Sequence, residues 1–135
     1  MKKKEINYQL MLGKAIDDQD EVVRGLPRTW ESYDSRVVRL AFGTYKLQCF
    51  CERLIVRYES PWMEFGPLEA GRLYLLNKHH WSPQDVQELG LTDLLLLLHE
   101  ELIEMKLNQE EWKPVQEWAS HMSCYPALAK SAPNP

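Results

Sequence analysis

Several things are missing from this chain, and each absence removes a class of function. Its six glycines are scattered at positions 13, 25, 43, 66, 71 and 90, so no glycine-rich loop is present to cradle a phosphate. No serine sits in a nucleophile elbow. The longest unbroken apolar run, Leu94 to Leu98, is far shorter than a membrane span. The basic start Lys2-Lys3-Lys4 is followed by Glu5, Asn7 and Gln9 instead of an apolar segment, so no signal peptide is read there; the lysines read as a solvated tail. Cysteine is sparse and odd in number (Cys49, Cys51 and Cys124), with two too close for an easy disulfide. That is the usage of free thiols in a reducing cytoplasm.

Metal ligands are equally thin. His99-Glu100-Glu101 begins like a zinc helix, but the position four residues after His99 is Ile103, so the second imidazole is lacking. His79 and His80 are adjacent and would point about a third of a turn apart on a helix, which does not suit chelation. Cys49-x-Cys51 supplies half of a closed site, and Cys124 and the four histidines show no spacing that would complete it. No cofactor and no catalytic group are expected.

What is present suits a small globular protein. The chain has 135 residues, 44% of them hydrophobic and 27% charged, which is ordinary for one folded domain. One helical domain is expected over residues 1–128, with a flexible tail over 129–135. Net charge is −4 and uneven. Residues 1–60 hold 11 Lys/Arg against 9 Asp/Glu, and residues 61–135 hold 5 against 11. The second half would repel a phosphate backbone, so nucleic acid is not an expected partner, and neither is a membrane.

Periodicity predicts a mainly α fold. Ile6, Leu10, Ile16 and Val23 mark a loose helical face interrupted by Gly13, and Gly25-Leu26-Pro27 ends it. Residues 35–58 carry Val37, Val38, Ala41, Tyr45, Leu47, Cys51, Leu54, Ile55 and Tyr58 near helical spacing. A short β-hairpin competes there, because Gly43-Thr44 falls mid-segment and Leu54-Ile55-Val56 is β-prone. Turns at Ser60-Pro61 and Gly66-Pro67 precede a helix with Leu68, Leu73, Tyr74 and Leu76 as its face, stopping near residues 77–80. Ser82-Pro83-Gln84-Asp85 is a helix start, and Gly90 a stop. Thr92 is read as the cap of an unbroken helix from Leu94 to Met105, and Asn108 with Glu111 as the capping pair of a last helix carrying Val115, Trp118, Ala119 and Met122.

Five consecutive leucines cover more than one helical turn, so that helix is apolar all round. It is either wholly buried or offers a side to a partner. The expected protein-binding residues are Trp81, Leu94, Leu95, Leu98, Leu102 and Met105. Five tryptophans, a residue favoured at interface hot spots, point the same way.

The stretch His79-His80-Trp81-Ser82-Pro83-x-x-Val86, then Leu91-Thr92-x-Leu94-Leu95 and His99-Glu100-x-Leu102, resembles the small tail proteins of contractile-tailed temperate phages, a family of tail assembly chaperones. The resemblance covers residues 79–107. It implies a helical protein that holds the tape-measure protein soluble while tube subunits gather, with Trp81, Pro83, Val86, Leu91, Leu94 and Leu95 building the fold. The expectation from a different class is a small acidic inhibitor or immunity-type protein that blocks one protein target by occlusion. A homo-oligomer remains a third, since a leucine-rich face can pair with itself.

Overall fold

A computed structural model describes residues 5–134; the Lys2–Lys4 run and Pro135 lie outside the described residues. The chain is mainly helical. Among the described residues there are eight α-helices and no strand, only an isolated antiparallel bridge between Ser60 and Met63. No helix among them is long and apolar enough to cross a membrane. They form two compact units, one from the residues up to Tyr45 together with those from Lys106 onward, the other Lys46–Met105.

The first unit begins with α1 (Tyr8–Arg24), capped by Asn7, whose side chain accepts from the Leu10 N–H at 3.0 Å. Gly13 does not interrupt it. The Trp118 ring lies against it, 3.3 Å from where a Cβ would stand. The buried face is Leu12, Ala15 and Val23, while Leu10 is 70% exposed, so the expected apolar face was partly misplaced.

α2 (Tyr33–Tyr58) is one continuous helix, and the competing hairpin does not form. Burial shows why. Val37, Ala41, Tyr45 and Cys49 recur every fourth residue in the core, and Leu54 and Ile55 are buried while Val56 is exposed. A strand would put Leu54 and Val56 on the same face. The first part of α2 packs in the first unit with α7 (Gln109–Ala119) and the short α8 (Tyr125–Leu128). Phe42 meets Trp112 edge-on at 6.5 Å, and Trp112 meets Tyr125 at 5.8 Å.

The Asn108–Glu111 pair caps α7 as the sequence indicates. Each side chain accepts from the other's backbone N–H at 2.8 Å. Glu111 is buried there, and its carbonyl also accepts from the Tyr45 hydroxyl. Pro114 stands at the sixth residue of α7, past the first turn, so the Glu110 carbonyl lacks its intrahelical donor. A flexible tail is expected from residue 129 onward, and the first of those residues are regular. Ala129–Ser131 is a 3-10 turn, Ser131 is buried, and its carbonyl accepts from the Leu107 N–H at 2.8 Å.

The second unit combines the later part of α2 with α3 (Pro67–His79), α4 (Pro83–Val86), α5 (Leu91–Leu97) and α6 (His99–Glu104). Leu54, Ile55 and Ala70 form a core flanked by Phe50, Tyr58, Phe65 and Tyr74. On α3 the fully buried positions are Ala70, Gly71 and Leu75, with the expected Leu68, Leu73, Tyr74 and Leu76 half-buried around them. The helix ends on His80 in the left-handed region (φ 56°, ψ 37°). Ser82 and Asp85 cap α4 reciprocally. Gly90, not Thr92, opens α5, its N–H donating to Asp93 Oδ2 at 2.9 Å.

The expected single helix from Leu94 to Met105 is broken at Leu98 (φ −101°, ψ 12°), although no residue there disfavours helix. Leu94, Leu98 and Leu102 are spaced by four and all buried. The Leu98 N–H still donates to the Leu94 carbonyl and the Leu102 N–H to the Leu98 carbonyl, at 2.9 Å each, and local propensity does not account for the break.

Candidate functional site

The six residues expected to bind a partner divide sharply. Leu94 and Leu98 are wholly inaccessible, and Leu102 and Met105 are buried. Leu95 is half-buried, as is Trp81, whose ring stacks on His79 at 4.5 Å. Four of the six are therefore core. The large apolar side chains that α5 and α6 leave most exposed are Leu96 (77%) and Ile103 (65%), with Leu91 at 40%, and the leucine pattern does not single them out.

Two indoles stand out instead. Trp62, in the second unit, occupies a tight turn closed by reciprocal Ser60–Met63 backbone hydrogen bonds of 3.3 Å, and is 85% exposed. Trp30, in the first unit, is 97% exposed on the connector between α1 and α2. Burying a tryptophan is worth on the order of 4–6 kcal/mol from the area it covers. Neither connector realises that gain within its own unit.

The surroundings of Trp30 are built. A cavity of about 340 Å³ lies under the connector, with Val23 and Leu26 as apolar lining and Arg28, Thr29, Glu31 and Arg36 as polar lining. Trp30 stands between two of these residues without lining the cavity itself. The connector is held in place at several points. Arg36 Nη1 donates to the Pro27 carbonyl at 2.8 Å. Arg39 grips Glu31 with Nε and Nη2 at 3.0 Å each, a forked pair that pulls the Glu31 carboxyl below its ordinary range despite some desolvation. Tyr33, also on the lining, donates its hydroxyl to the Asp20 carboxylate. That bond pushes the phenol above its usual range, since losing the proton would set two anions together. Asp20 is further paired with Arg24 at 2.7 Å.

The cavity is lined by two guanidinium groups, Arg28 and Arg36, and one carboxylate, Glu31, which Arg39 holds from outside the lining. Arg28 has no ion-pair or hydrogen-bond partner among the described residues. Composition hid this site. The arginines are interleaved with acids in the sequence, and only the fold reveals which of them are already paired. An isolated Trp between Thr29 and Glu31 has no periodicity to mark it, and the count of five tryptophans was the one available signal.

Cys49, Cys51 and Cys124 form no disulfide and are buried, and burial pushes Cys51 up to about 12, with nearby Glu52 adding to the rise. Among the described residues no group of three or more His, Cys, Asp or Glu is placed to hold a metal ion. No protein family, curated protein or solved structure matches the chain.

Proposed function

We propose that this chain is a non-enzymatic, protein-binding helical domain that engages another protein through exposed aromatic and aliphatic side chains on its connectors. The observation that carries the reading is the exposure of Trp30 and Trp62, both held on connectors pinned by hydrogen bonds. An indole left in water on a tethered connector suits an interface anchor, because less backbone entropy remains to be lost on binding. The resemblance over residues 79–107 supplies the narrower reading, in which the partner is a phage tail tape-measure or tube protein and the chain acts as a tail assembly chaperone. In that case α5 and α6 present Leu96 and Ile103, supported from beneath by Leu94, Leu98 and Leu102.

The second reading, a small acidic inhibitor or immunity-type protein, is favoured by the charge of the second unit. It holds 5 Lys/Arg against 10 Asp/Glu, with Glu100 and Glu104 exposed near Leu96 and Ile103 in sequence. Affinity capture of the tagged chain from its native host tests both. A partner retained by the parent chain and lost from Trp30→Ala and Trp62→Ala variants of unchanged circular dichroism supports protein binding. A long, helix-rich tail protein as that partner supports the chaperone, and one globular target released by Glu100→Lys with Glu104→Lys supports the inhibitor. Equal retention by both tryptophan variants contradicts the proposal.

A further inference from the structure

We infer that the cavity under the α1–α2 connector receives an acidic peptide segment of the protein partner, with a carboxylate between Arg28 and Arg36 and an apolar neighbour against Val23 and Leu26. The inference rests on the protein-binding reading and names the chemistry that this surface recognises.

Charge supports it first. The acidic chain has a net charge of −4, yet the cavity is lined by two guanidinium groups, Arg28 and Arg36, against one carboxylate, Glu31, which Arg39 already holds. Arg28 is unpartnered, and Arg36 is fixed by a single Nη1 bond to a carbonyl, which leaves its other N–H groups for an incoming acceptor. Guanidinium groups bind carboxylates through paired, charge-assisted hydrogen bonds.

Size and surroundings narrow the ligand. About 340 Å³ is at the low end for ligand pockets, enough for a side chain or two and small for a nucleotide or a cofactor. Trp30 lies outside the cavity between Thr29 and Glu31, so a ligand confined to the cavity would leave that indole in water. A chain that enters the cavity and continues over the connector covers it. A polyanion is disfavoured because Asp17, Asp18, Asp20 and Glu21 stand on α1, whose Asp20 is bonded to the cavity residue Tyr33. Two charges at one spot suit one or two carboxylates, not a phosphate track.

The experiment is an NMR titration of the ¹⁵N-labelled full chain with acetyl-(Glu-Leu)₃-amide, with acetyl-(Gln-Leu)₃-amide and a dT₁₂ oligonucleotide as comparisons. The expected result is saturable shifts of the Trp30 indole N–H and of backbone amides over residues 23–36. The glutamine peptide should bind at least tenfold more weakly, and Arg28→Gln should weaken the glutamate peptide about tenfold, as expected for one charge-assisted contact. No shifts over 23–36 at millimolar peptide, equal binding of the glutamine peptide, or tighter binding of dT₁₂ at these residues would each overturn the inference. Capture from the host separates the two levels. A native partner lost from Trp30→Ala while the glutamate peptide fails to bind overturns the acidic-segment inference and leaves the protein-binding reading standing. Peptide binding at 23–36 with a native partner retained by both tryptophan variants supports the site and sinks that wider reading.

Discussion

Gly71 and Leu94 are in direct contact, with Leu94 Cδ1 only 3.0 Å from the point a Cβ on Gly71 would occupy and the Cys51 sulfur at 3.4 Å. The closeness of α3 and α5 depends on that missing methyl. Gly71→Ala gains helix propensity but forces a wholly buried leucine to move, and overpacking a tight core costs about 1–3 kcal/mol. Urea denaturation should show a lower midpoint. Gly13→Ala is the contrasting case. Its Cβ would meet the edge of Trp118, a partly exposed ring able to give by a few tenths of an ångström, so the propensity gain of up to about 1 kcal/mol prevails and the midpoint rises.

His80 holds a left-handed conformation that a side chain disfavours by about 1–2 kcal/mol, against a smaller entropic penalty for glycine. Its N–H bond to the Leu76 carbonyl does not depend on the side chain. His80→Gly is therefore expected to stabilise the fold by roughly 0.5–1 kcal/mol. A melting temperature that falls would show that the imidazole contributes more than its backbone costs.

The leucine run separates into core and surface, and mutagenesis should reproduce that division. Leu98→Ala opens a cavity at an inaccessible position and should cost about 2–5 kcal/mol, whereas Leu96→Asp should change stability by no more than about 0.5 kcal/mol. Circular dichroism melts of the two variants check it. A partner lost with Leu98→Asp would therefore report unfolding, while one lost with Leu96→Asp would report contact.

The thiols should be silent. With all three cysteines buried and Cys51 pushed up to about 12, Ellman's reagent should modify none of them within minutes in the native protein at pH 8, and all three after denaturation. The Cys51 thiol titrates higher folded than unfolded, so its contribution to stability is present below about pH 9 and is lost as pH rises toward 12. Rapid labelling of the folded chain would contradict the burial.

Glu31 runs the opposite way. Arg39 holds its carboxyl below the ordinary value of 4.5, so the pair supports the connector above that pH and the support is lost as acid protonates the carboxylate. Trp30 fluorescence should become more mobile, with lower anisotropy, in that acid range and not between pH 6 and 8. Glu31→Gln should show the mobile state already at neutral pH.

Local rules revealed much of the fold. Asn108 with Glu111, Ser82-Pro83 with Asp85, and Gly66-Pro67 each mark a helix start through groups adjacent in sequence, and all three starts stand in the structure. The break at Leu98, the persistence of α1 through Gly13 and the cap at Gly90 were not legible: no local residue marks the break, one glycine costs too little to end a helix, and Gly90 and Thr92 both offer a cap. The candidate site was the least legible part. An all-leucine segment announces hydrophobicity but not which leucines face inward, and the ion pairs that leave Arg28 free are settled only when Glu31 and Arg39 meet.

The most direct test of the central claim, that the chain binds a protein through its exposed indoles, is hydroxyl-radical footprinting of the free chain and of the complex captured from its host. The account predicts rapid oxidation of Trp30 and Trp62 in the free chain, slow oxidation of buried Trp112, and strong protection of Trp30 in the complex. Oxidation of Trp30 and Trp62 at the same rate in both states would place the partner elsewhere and contradict the account.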